Sequence, residues 1–310
     1  MSVAVVTGGA GFIGSHLVEG LLHKGFNVRV VDNLSTGKQS NLDTVINDIE
    51  FIRADIRDRD AMKKAFAGAE FVFHEAALAS VARSMADPWE TTDVNVMGTL
   101  SVLQAAAEAG VKRLVGASSS SVYGDTQIFP EKETAYPLPI SPYAASKITN
   151  EFYYRVFNMY FGVQTVALRY FNVFGPRQDP DSPYAAVIPK FLALMTRGKQ
   201  PIIFGDGTQS RDFTFVGNVV HANITASVAD KAPGEMFNVA CGRTHNLLEL
   251  VDQLNRELGT NLKPELTTPR QGDPMTSLAS MDKSSELLGF NEIVSFEEGI
   301  KRTVASFIKA

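Results

Sequence analysis

The chain is poor in cysteine, in net basic charge and in long apolar runs. Cys241 is the single cysteine among 310 residues, so no internal disulfide framework can form. It ends the run Phe237-Asn238-Val239-Ala240-Cys241, where a small packed side chain is expected rather than a nucleophile. The formal net charge is −5, which lacks the basic footprint of a nucleic-acid binder. A phosphorylated small ligand stays possible, because it needs only a few local arginines. No apolar run approaches the ~20 residues that span a bilayer. The N-terminus opens directly on a strand-like run, without a signal-peptide pattern. No internal repeat or low-complexity linker is seen. His74 has no second histidine or carboxylate at ligand spacing, so it is read as a packed strand residue and no metal site is expected. The expectation is a cytoplasmic enzyme or binding protein, with neither nucleic acid nor membrane as a partner.

What is present is alternation. The length suffices for one large domain or two smaller ones, and the 45% apolar content is ordinary for a globular protein. Val3-Ala4-Val5-Val6-Thr7 reads as a buried strand, Ser15 to Lys24 as a helix, and Val28 to Val31 as a second strand ending in Asp32. Strand candidates follow at 51–54, 70–74 and 113–117. Helices are expected over Asp58–Ala67 and, as one long element, over Pro88–Ala109. Such alternation predicts an α/β fold with a doubly wound parallel sheet covered on both faces. Ligands of such sheets bind beyond the carboxyl ends of the strands. Asp32, Asp55, Ala76, Ala77 and the serines after Ala117 all fall at such ends.

Between the first strand and helix lies Gly8-Gly9-Ala10-Gly11-Phe12-Ile13-Gly14. Gly8, Gly11 and Gly14 allow a tight turn and a close approach of backbone N–H groups to a pyrophosphate at a helix N-terminus. Asp32 lies 18 residues beyond Gly14, near where an acid binds ribose hydroxyls. Its charge would repel a 2′-phosphate, which favours NAD over NADP. Asp55 has two readings, a contact to the adenine edge or a cap for the helix after it.

Two further clusters carry chemistry. Tyr143 and Lys147, in Ser141-Pro142-Tyr143-Ala144-Ala145-Ser146-Lys147, are four apart and share one helix face. A cation beside a phenol lowers a pKa that is normally about 10 and makes the phenol an acid/base near neutral pH. An amphipathic helix with a buried tyrosine and a solvated lysine is the plain alternative. Ser118-Ser119-Ser120-Ser121 follows a strand end just upstream, and a serine hydroxyl there can donate to and accept from a substrate oxygen. There is no glycine-flanked nucleophile elbow and no Ser-His-Asp order, which argues against a hydrolase.

Taken together, these segments resemble the extended short-chain dehydrogenases/reductases, in particular the nucleotide-sugar epimerase and dehydratase group. The resemblance covers essentially the whole chain. It also rests on Asp32-Asn33-Leu34, Leu168 to Arg177, Phe204-Gly205-Asp206-Gly207, Ser210-Arg211-Asp212-Phe213 and Arg270-Gln271-Gly272-Asp273. It implies a Rossmann domain over 1–172, to which 213–241 returns. A smaller interleaved α/β domain from 173–212 and 242–310 would hold the nucleotide sugar. It implies that Tyr143 is the acid/base, that Lys147 holds the nicotinamide ribose, and that Ser119 bonds the reacting sugar oxygen with help from Ser118 or Ser120. Gly8, Gly11, Phe12, Ile13, Gly14, Asp32, Asn33, Asp55, Ile56, Ala76, Ala77 and Ser118 fall on the cofactor side. Asn95 is either structural or on that side as well. Phe171 and Asn172 form a turn shared by nicotinamide and sugar phosphate. Ser80, Ala186, Val187 and Lys190 fall on the substrate side, Phe204 at the uracil, Arg211 and Arg270 at the pyrophosphate, and Asp273 at a ribose hydroxyl.

Within this group, dehydratases carry an Asp-Glu pair after the catalytic serine, and decarboxylases a Glu before Val-Tyr-Gly. Ser120 and Ser121 stand there instead, which implies a 4-epimerase working through a transient 4-keto sugar and bound NAD. Ser277 occupies the place where epimerases restricted to unacetylated sugars often carry tyrosine. UDP-glucose/UDP-galactose and UDP-GlcNAc/UDP-GalNAc are therefore the expected substrates. UDP-glucuronate epimerases share the serine run and are the nearest alternative. A net dehydrogenase/reductase and a non-catalytic NAD-binding sensor are the readings from other classes. The resemblance also implies a homodimer through the helices near 90–110 and 141–161.

Overall fold

The computed structural model describes residues 2–180, 185–269 and 275–309. Arg270 and Asp273 lie outside the described residues. The first half alternates as the pattern requires. In order come β1 (Val3–Thr7), α1 (Phe12–His23), β2 (Asn27–Asp32), β3 (Ile49–Arg53), α2 (Arg59–Phe66) and β4 (Phe71–His74). Then come α3 (Val81–Ala86), α4 (Pro88–Thr92), α5 (Gly98–Glu108), β5 (Arg113–Ser119), α6 (Pro142–Tyr160) and β6 (Gln164–Tyr170). The second half holds β7 (Val173–Phe174), α7 (Val187–Met195), β8 (Ile202–Phe204), β9 (Ser210–Arg211), β10 (Thr214–Phe215) and α8 (Val216–Val228). It ends with β11 (Met236–Val239), β12 (His245–Asn246), α9 (Leu247–Leu258), β13 (Glu265–Thr267) and α10 (Phe296–Lys309).

Seven strands form one parallel sheet in the order β11-β6-β5-β4-β1-β2-β3. The order reverses between β1 and β4, and a parallel α/β sheet opens its ligand crevice at such a switch point. One face of the sheet packs Val6, Phe73 and Leu168 against Leu17 and Leu21 of α1 and Val219 and Ala222 of α8. The other packs Val5, Val72 and Leu114 against Phe66 of α2, Leu103 of α5, and Tyr154 and Phe157 of α6. A third core, with Phe174, Phe191, Ile203, Phe213, Leu250 and Phe296, joins α7, β8, α9 and α10. The strands in this second half are short pairs, β7 with β10, β9 with β12, and β8 with β13. Through α8 and β11, the chain returns from the second half to the main sheet.

Several local signals set the element ends. Asp58 accepts from Ala61 N at 3.0 Å and caps α2. Ser141 caps α6 through Ala144 N, with Pro142 at the first position, where the missing N–H costs no helical bond. Asn246 and Glu249 form a reciprocal capping box at α9. Three expectations need correction. Asp58, not Asp55, is the cap before α2. The expected long helix over 88–109 contains a π turn at Asp93–Met97 between α4 and α5. There the Asn95 carbonyl accepts from Thr99 Oγ1 at 2.6 Å and Asn150 Nδ2 at 3.0 Å, so side chains compete for it. Finally, β5 runs two residues past Ala117, so Ser118 and Ser119 end a strand instead of starting a loop.

Candidate active site

At the switch point lies a cleft of ≈ 470 Å³. Its floor is the glycine turn. Gly8 has φ +71°, and a side chain there would begin 2.6 Å from Ala76 N. A Cβ on Gly14 would sit 2.1 Å from the Gly8 carbonyl oxygen. Both positions require glycine, the first to keep β1 and β4 close and the second to seat α1 against the turn. Helix α1 starts at Gly11 with no side-chain cap and no acid in its first turn. Its first N–H groups and the positive end of its dipole are thus offered to an anion. Asp32 is buried, and its carboxylate accepts from Ala10 N at 2.9 Å and Leu34 N at 2.8 Å. Burial raises its proton affinity, opposed by those two bonds. Asp55 is paired with Arg57 at 2.8 Å and accepts from Asn33 Nδ2 at 2.9 Å. The Arg57 guanidinium holds its pKa down at about 2.

All of Gly8, Gly11, Phe12, Ile13, Gly14, Asp32, Asn33, Asp55, Ile56, Ala76 and Ala77 line this cleft. Four other expected residues are placed differently. Ser80 lies on the wall of this same cleft and caps α3 by accepting from Arg83 N; it is absent from the lining of the second cavity described below. Asn95 is 1% exposed, and its amide bonds both backbone groups of Leu78 and the Ser146 hydroxyl. It fixes the chain beside the cleft, which is the structural one of its two readings. Ser118 points inward and donates to Glu151 at 2.5 Å, so it is not offered to a ligand. Phe171 is fully buried and packs on Tyr123, with ring centroids 6.0 Å apart.

Near the ends of β4 and β5 stands the Tyr143/Lys147 pair. Lys147 is 4% exposed and donates from Nζ to the Ala117 carbonyl at 2.9 Å. Its Nζ lies 5.9 Å from the centroid of the Tyr143 ring. Burial lowers the Lys147 pKa to about 8, while the negative charges of Glu75 and Glu151 oppose that fall. The tyrosine departs from expectation. Burial pushes the Tyr143 phenol above its ordinary value, a hydrogen bond with Ser119 pulls it back, and the Glu75 carboxyl pushes it up. The expected lowering by the neighbouring ammonium is thus not seen: burial sets the direction, and the one opposing influence is the Ser119 hydrogen bond. Ser119 Oγ also accepts from Ser121 N at 3.2 Å and from the Ser121 hydroxyl at 2.9 Å. Ser120 begins the 3-10 turn to Tyr123 and is half-buried.

Behind the pair, buried Arg169 of β6 forks onto both oxygens of Glu151 at 2.8 and 2.7 Å. Its guanidinium stacks 4.8 Å from the Tyr123 ring centroid. His74 is buried between Thr7 Oγ1 and Thr99 Oγ1, at 2.7 and 2.9 Å. Because Thr99 gives its proton to the Asn95 carbonyl, His74 Nε2 must donate and Nδ1 must accept. Burial and Lys147 hold its pKa at about 3, so the ring is neutral and structural, as expected. Among the described residues no cluster of His, Cys, Asp or Glu could hold a metal.

One residue was not singled out by the sequence reading. Glu75, just past β4, lines the cleft and accepts from the Tyr170 hydroxyl at 2.7 Å. Burial raises its pKa to about 7. A carboxylate at a strand end reads in sequence as a solvated residue, and only the topology brings Tyr170 and Lys147 beside it.

A second cavity, of ≈ 420 Å³, lies between α7, β8 and β9. Asn172, Ala186, Val187, Lys190, Phe204 and Arg211 all line it. Asn172 has φ 35° and donates to the Asp212 carbonyl at 3.1 Å and to Ser277 Oγ at 3.2 Å. Ser277 is buried beneath Asn172 and is not part of the cavity wall. Asp212 anchors the region by accepting from the backbone N–H groups of Cys241, Gly242 and Ala279. Cys241 is half-buried, and burial raises its thiol pKa, consistent with a packed rather than nucleophilic side chain.

Residues 4–240 match the model of the NAD dependent epimerase/dehydratase family. The chain belongs to that family. Its cofactor is NAD, and its type is the extended short-chain dehydrogenase/reductase. A UDP-glucose 4-epimerase of Mycolicibacterium smegmatis is 39% identical over 307 residues, covering 98% of this chain and 97% of the relative. A solved UDP-N-acetylglucosamine 4-epimerase from Methanobrevibacter ruminantium M1, in complex with UDP-N-acetylmuramic acid, is 40% identical with a TM-score of 0.94. The match covers 99% of this chain and 98% of that one. The Thermotoga maritima UDP-glucose 4-epimerase with UDP-glucose has the same identity and TM-score, with 99% of each chain covered. The cleft of the present chain suits NAD on its own geometry. The glycine cradle has no side chains, the helix end is uncapped, and the Asp32 carboxylate lies on the same wall, a set of groups that suits a pyrophosphate and ribose hydroxyls.

Proposed function

We propose that this chain is an NAD-dependent UDP-hexose 4-epimerase acting on UDP-glucose/UDP-galactose and on UDP-GlcNAc/UDP-GalNAc. The observation that carries the reading is the grouping of Tyr143, its hydrogen-bonded Ser119 and buried Lys147 beside the NAD cleft. The positions after Ser119 supply hydroxyls, Ser120 and Ser121, in place of the extra acid and base that eliminating water requires. Tyr143 takes the proton of the sugar 4-hydroxyl and later returns it. Ser119 orients that oxygen, and Lys147 keeps positive charge beside the phenol. NAD, when bound, supplies the acceptor and donor for hydride at the same carbon.

The second cavity holds the nucleotide. Arg211 and Lys190 meet the pyrophosphate, Phe204 the uracil, and Asn172 the sugar phosphate. Arg270 and Asp273 complete this set in the reading, although they lie outside the described residues. Holding the nucleotide firmly leaves the sugar free to turn between its two faces, so binding energy away from the reacting carbon does the positioning. Ser277, although packed beneath Asn172 and off the cavity wall, is the small residue on which this reading rests the space for an acetamido group. On this reading 1–172 and 213–241 form the NAD domain, and 173–212 with 242–310 form the nucleotide-sugar domain. The active form is a homodimer joined through α4 to α6, where Trp89, Phe152 and Tyr160 are 85%, 61% and 74% exposed.

The test is incubation of the purified protein with each UDP-sugar, without added NAD, and separation of the products. Interconversion at C4 with no net change in nicotinamide absorbance is expected. In a parallel incubation with excess NAD, steady accumulation of NADH would make it a dehydrogenase, and bound NAD with no turnover in either incubation would make it a sensor. The four-serine run also suits a UDP-glucuronate 4-epimerase, which the same assay separates by substrate.

A further inference from the structure

Lys147 is a buried ammonium, and taking a charge out of water costs several kcal/mol or more unless an opposite charge compensates. The ammonium donates to a neutral carbonyl, Ala117 O. Two carboxyls act on it, Glu151 of the same helix and Glu75 past β4. Glu151 is already matched. Both its oxygens accept from Arg169, and one also accepts from Ser118. Glu75 has no such cationic partner among the described ion pairs. It is aimed by a chain of hydrogen bonds that starts on α8. Asn223 Nδ2 donates to the Tyr170 oxygen at 2.7 Å, and that hydroxyl, its lone pair engaged, donates to Glu75 Oε1 at 2.7 Å.

We propose that Glu75, held by Tyr170 and Asn223, is a positioning residue that supplies the counter-charge keeping Lys147 protonated beside the NAD cleft. The proposal rests on the reading of Tyr143 and Lys147 as the working pair. The charged and titratable groups around Lys147 are Glu75 of the β4 end, Tyr143 and Glu151 of α6, Arg169 and Tyr170 of β6, and neutral His74 of β4. Of these, Glu75 is the one carboxylate whose charge is not already balanced by an arginine. The coupling is reciprocal, since the Lys147 charge favours the ionised form of Glu75. Below about pH 7 Glu75 takes up a proton and the counter-charge is lost. Above about pH 8 Lys147 loses its own. Acid thus removes the charge of one partner and alkali that of the other.

Glu75 has two opposed effects on Tyr143. Its charge raises the phenol pKa directly, and by keeping Lys147 charged it favours the phenolate. Titration of Tyr143 is thus ambiguous, and Lys147 itself is the readout. The NAD-loaded protein, carrying ¹³C at the lysine ε carbon, is titrated by NMR, and Lys147 is assigned by the signal lost in Lys147→Met. Glu75→Gln keeps an acceptor for the Tyr170 hydroxyl but removes the charge. The Lys147 midpoint is expected to fall by about one pH unit or more, and the alkaline limb of any turnover to move with it. Glu75→Asp should restore much of the shift. An unchanged Lys147 midpoint in Glu75→Gln would overturn the proposal. If that variant does not fold, Tyr170→Phe leaves the carboxyl but removes the hydrogen bond that favours its ionised form. A smaller fall in the same direction supports the proposal, and no fall overturns it. The titration needs no sugar, so it stands or fails separately from the epimerase reading.

Discussion

The two cavities are built by different means. The NAD cleft is formed by backbone and short side chains at the ends of β1, β2 and β4, where Gly8, Gly14 and Ala76 must nearly touch. The second cavity is formed by longer side chains, Lys190, Phe204 and Arg211, projecting from α7, β8 and β9. A site made of backbone tolerates few substitutions, because added atoms meet main chain that cannot move aside. A site made of side chains can lose one contact and keep its shape. Its identity with a ligand is therefore easier to change than that of the NAD cleft. On the proposed function, Tyr143 and Ser119 stand where the chemistry of both would meet.

The sharpest test of that meeting point is Tyr143→Phe. It removes the proton-carrying oxygen while keeping the ring, and a general acid/base contributes on the order of 10²–10⁴-fold. Epimerisation is expected to fall by about a hundred- to ten-thousandfold, with UDP-sugar affinity, measured by calorimetry, nearly unchanged. A variant with close to full turnover would sink the assignment of Tyr143.

The next test breaks the backbone-built cleft. Gly8→Ala places a methyl group 2.6 Å from Ala76 N at a φ of +71°. The left-handed backbone alone costs about 1–2 kcal/mol for a non-glycine residue, and the clash adds to it. The mutant is expected to melt lower and to release NAD, measured by acid extraction of nucleotide. Wild-type NAD content would show that the turn is not the cofactor cradle.

These glycines were legible in the sequence because their requirement is local: a turn and a helix start, read from spacing over seven residues. What was not legible depends on partners distant in the chain. The strand β6 was not read as an element, because Arg169 breaks its apolar pattern, and Arg169 is tolerated only because Glu151 meets it. Ser118 reads as an exposed serine until β5 is seen to carry it inward to the same Glu151. Glu75 reads as a solvated acid until Tyr170, 95 residues later, is brought beside it. The pairing of β8 with β13 joins residues near 203 and 266, a contact that neither segment announces. The expected fall in the Tyr143 pKa failed for a related reason. Sequence spacing gives the cation but not the burial that raises the phenol pKa.

The side-chain-built cavity is tested by Arg211→Ala. A hydrogen bond to a charged group is worth about 1.5–3 kcal/mol, which corresponds to roughly ten- to a hundredfold in affinity. KM for every UDP-sugar should rise by that factor while NAD stays bound and the fold stays intact. A fall in NAD content instead would mean that Arg211 supports the first site and that the two cavities are not separable.

The smallest expected effect concerns choice among sugars. Ser277 is buried, and its hydroxyl accepts from Asn172, the residue that turns the chain from β6 into the second half. A tyrosine there fills the space beside Asn172 with a ring. Adding volume in a packed site commonly costs about 1–3 kcal/mol. If that space receives the acetamido group, Ser277→Tyr should reduce kcat/KM for UDP-GlcNAc by roughly ten- to a hundredfold and leave UDP-glucose within a few-fold. The ratio of the two substrates is the quantity to read, because any general disturbance of Asn172 lowers both and cancels in it. An unchanged ratio would remove Ser277 from the specificity argument and move the search to the walls of the NAD cleft, where Ser80 already lies.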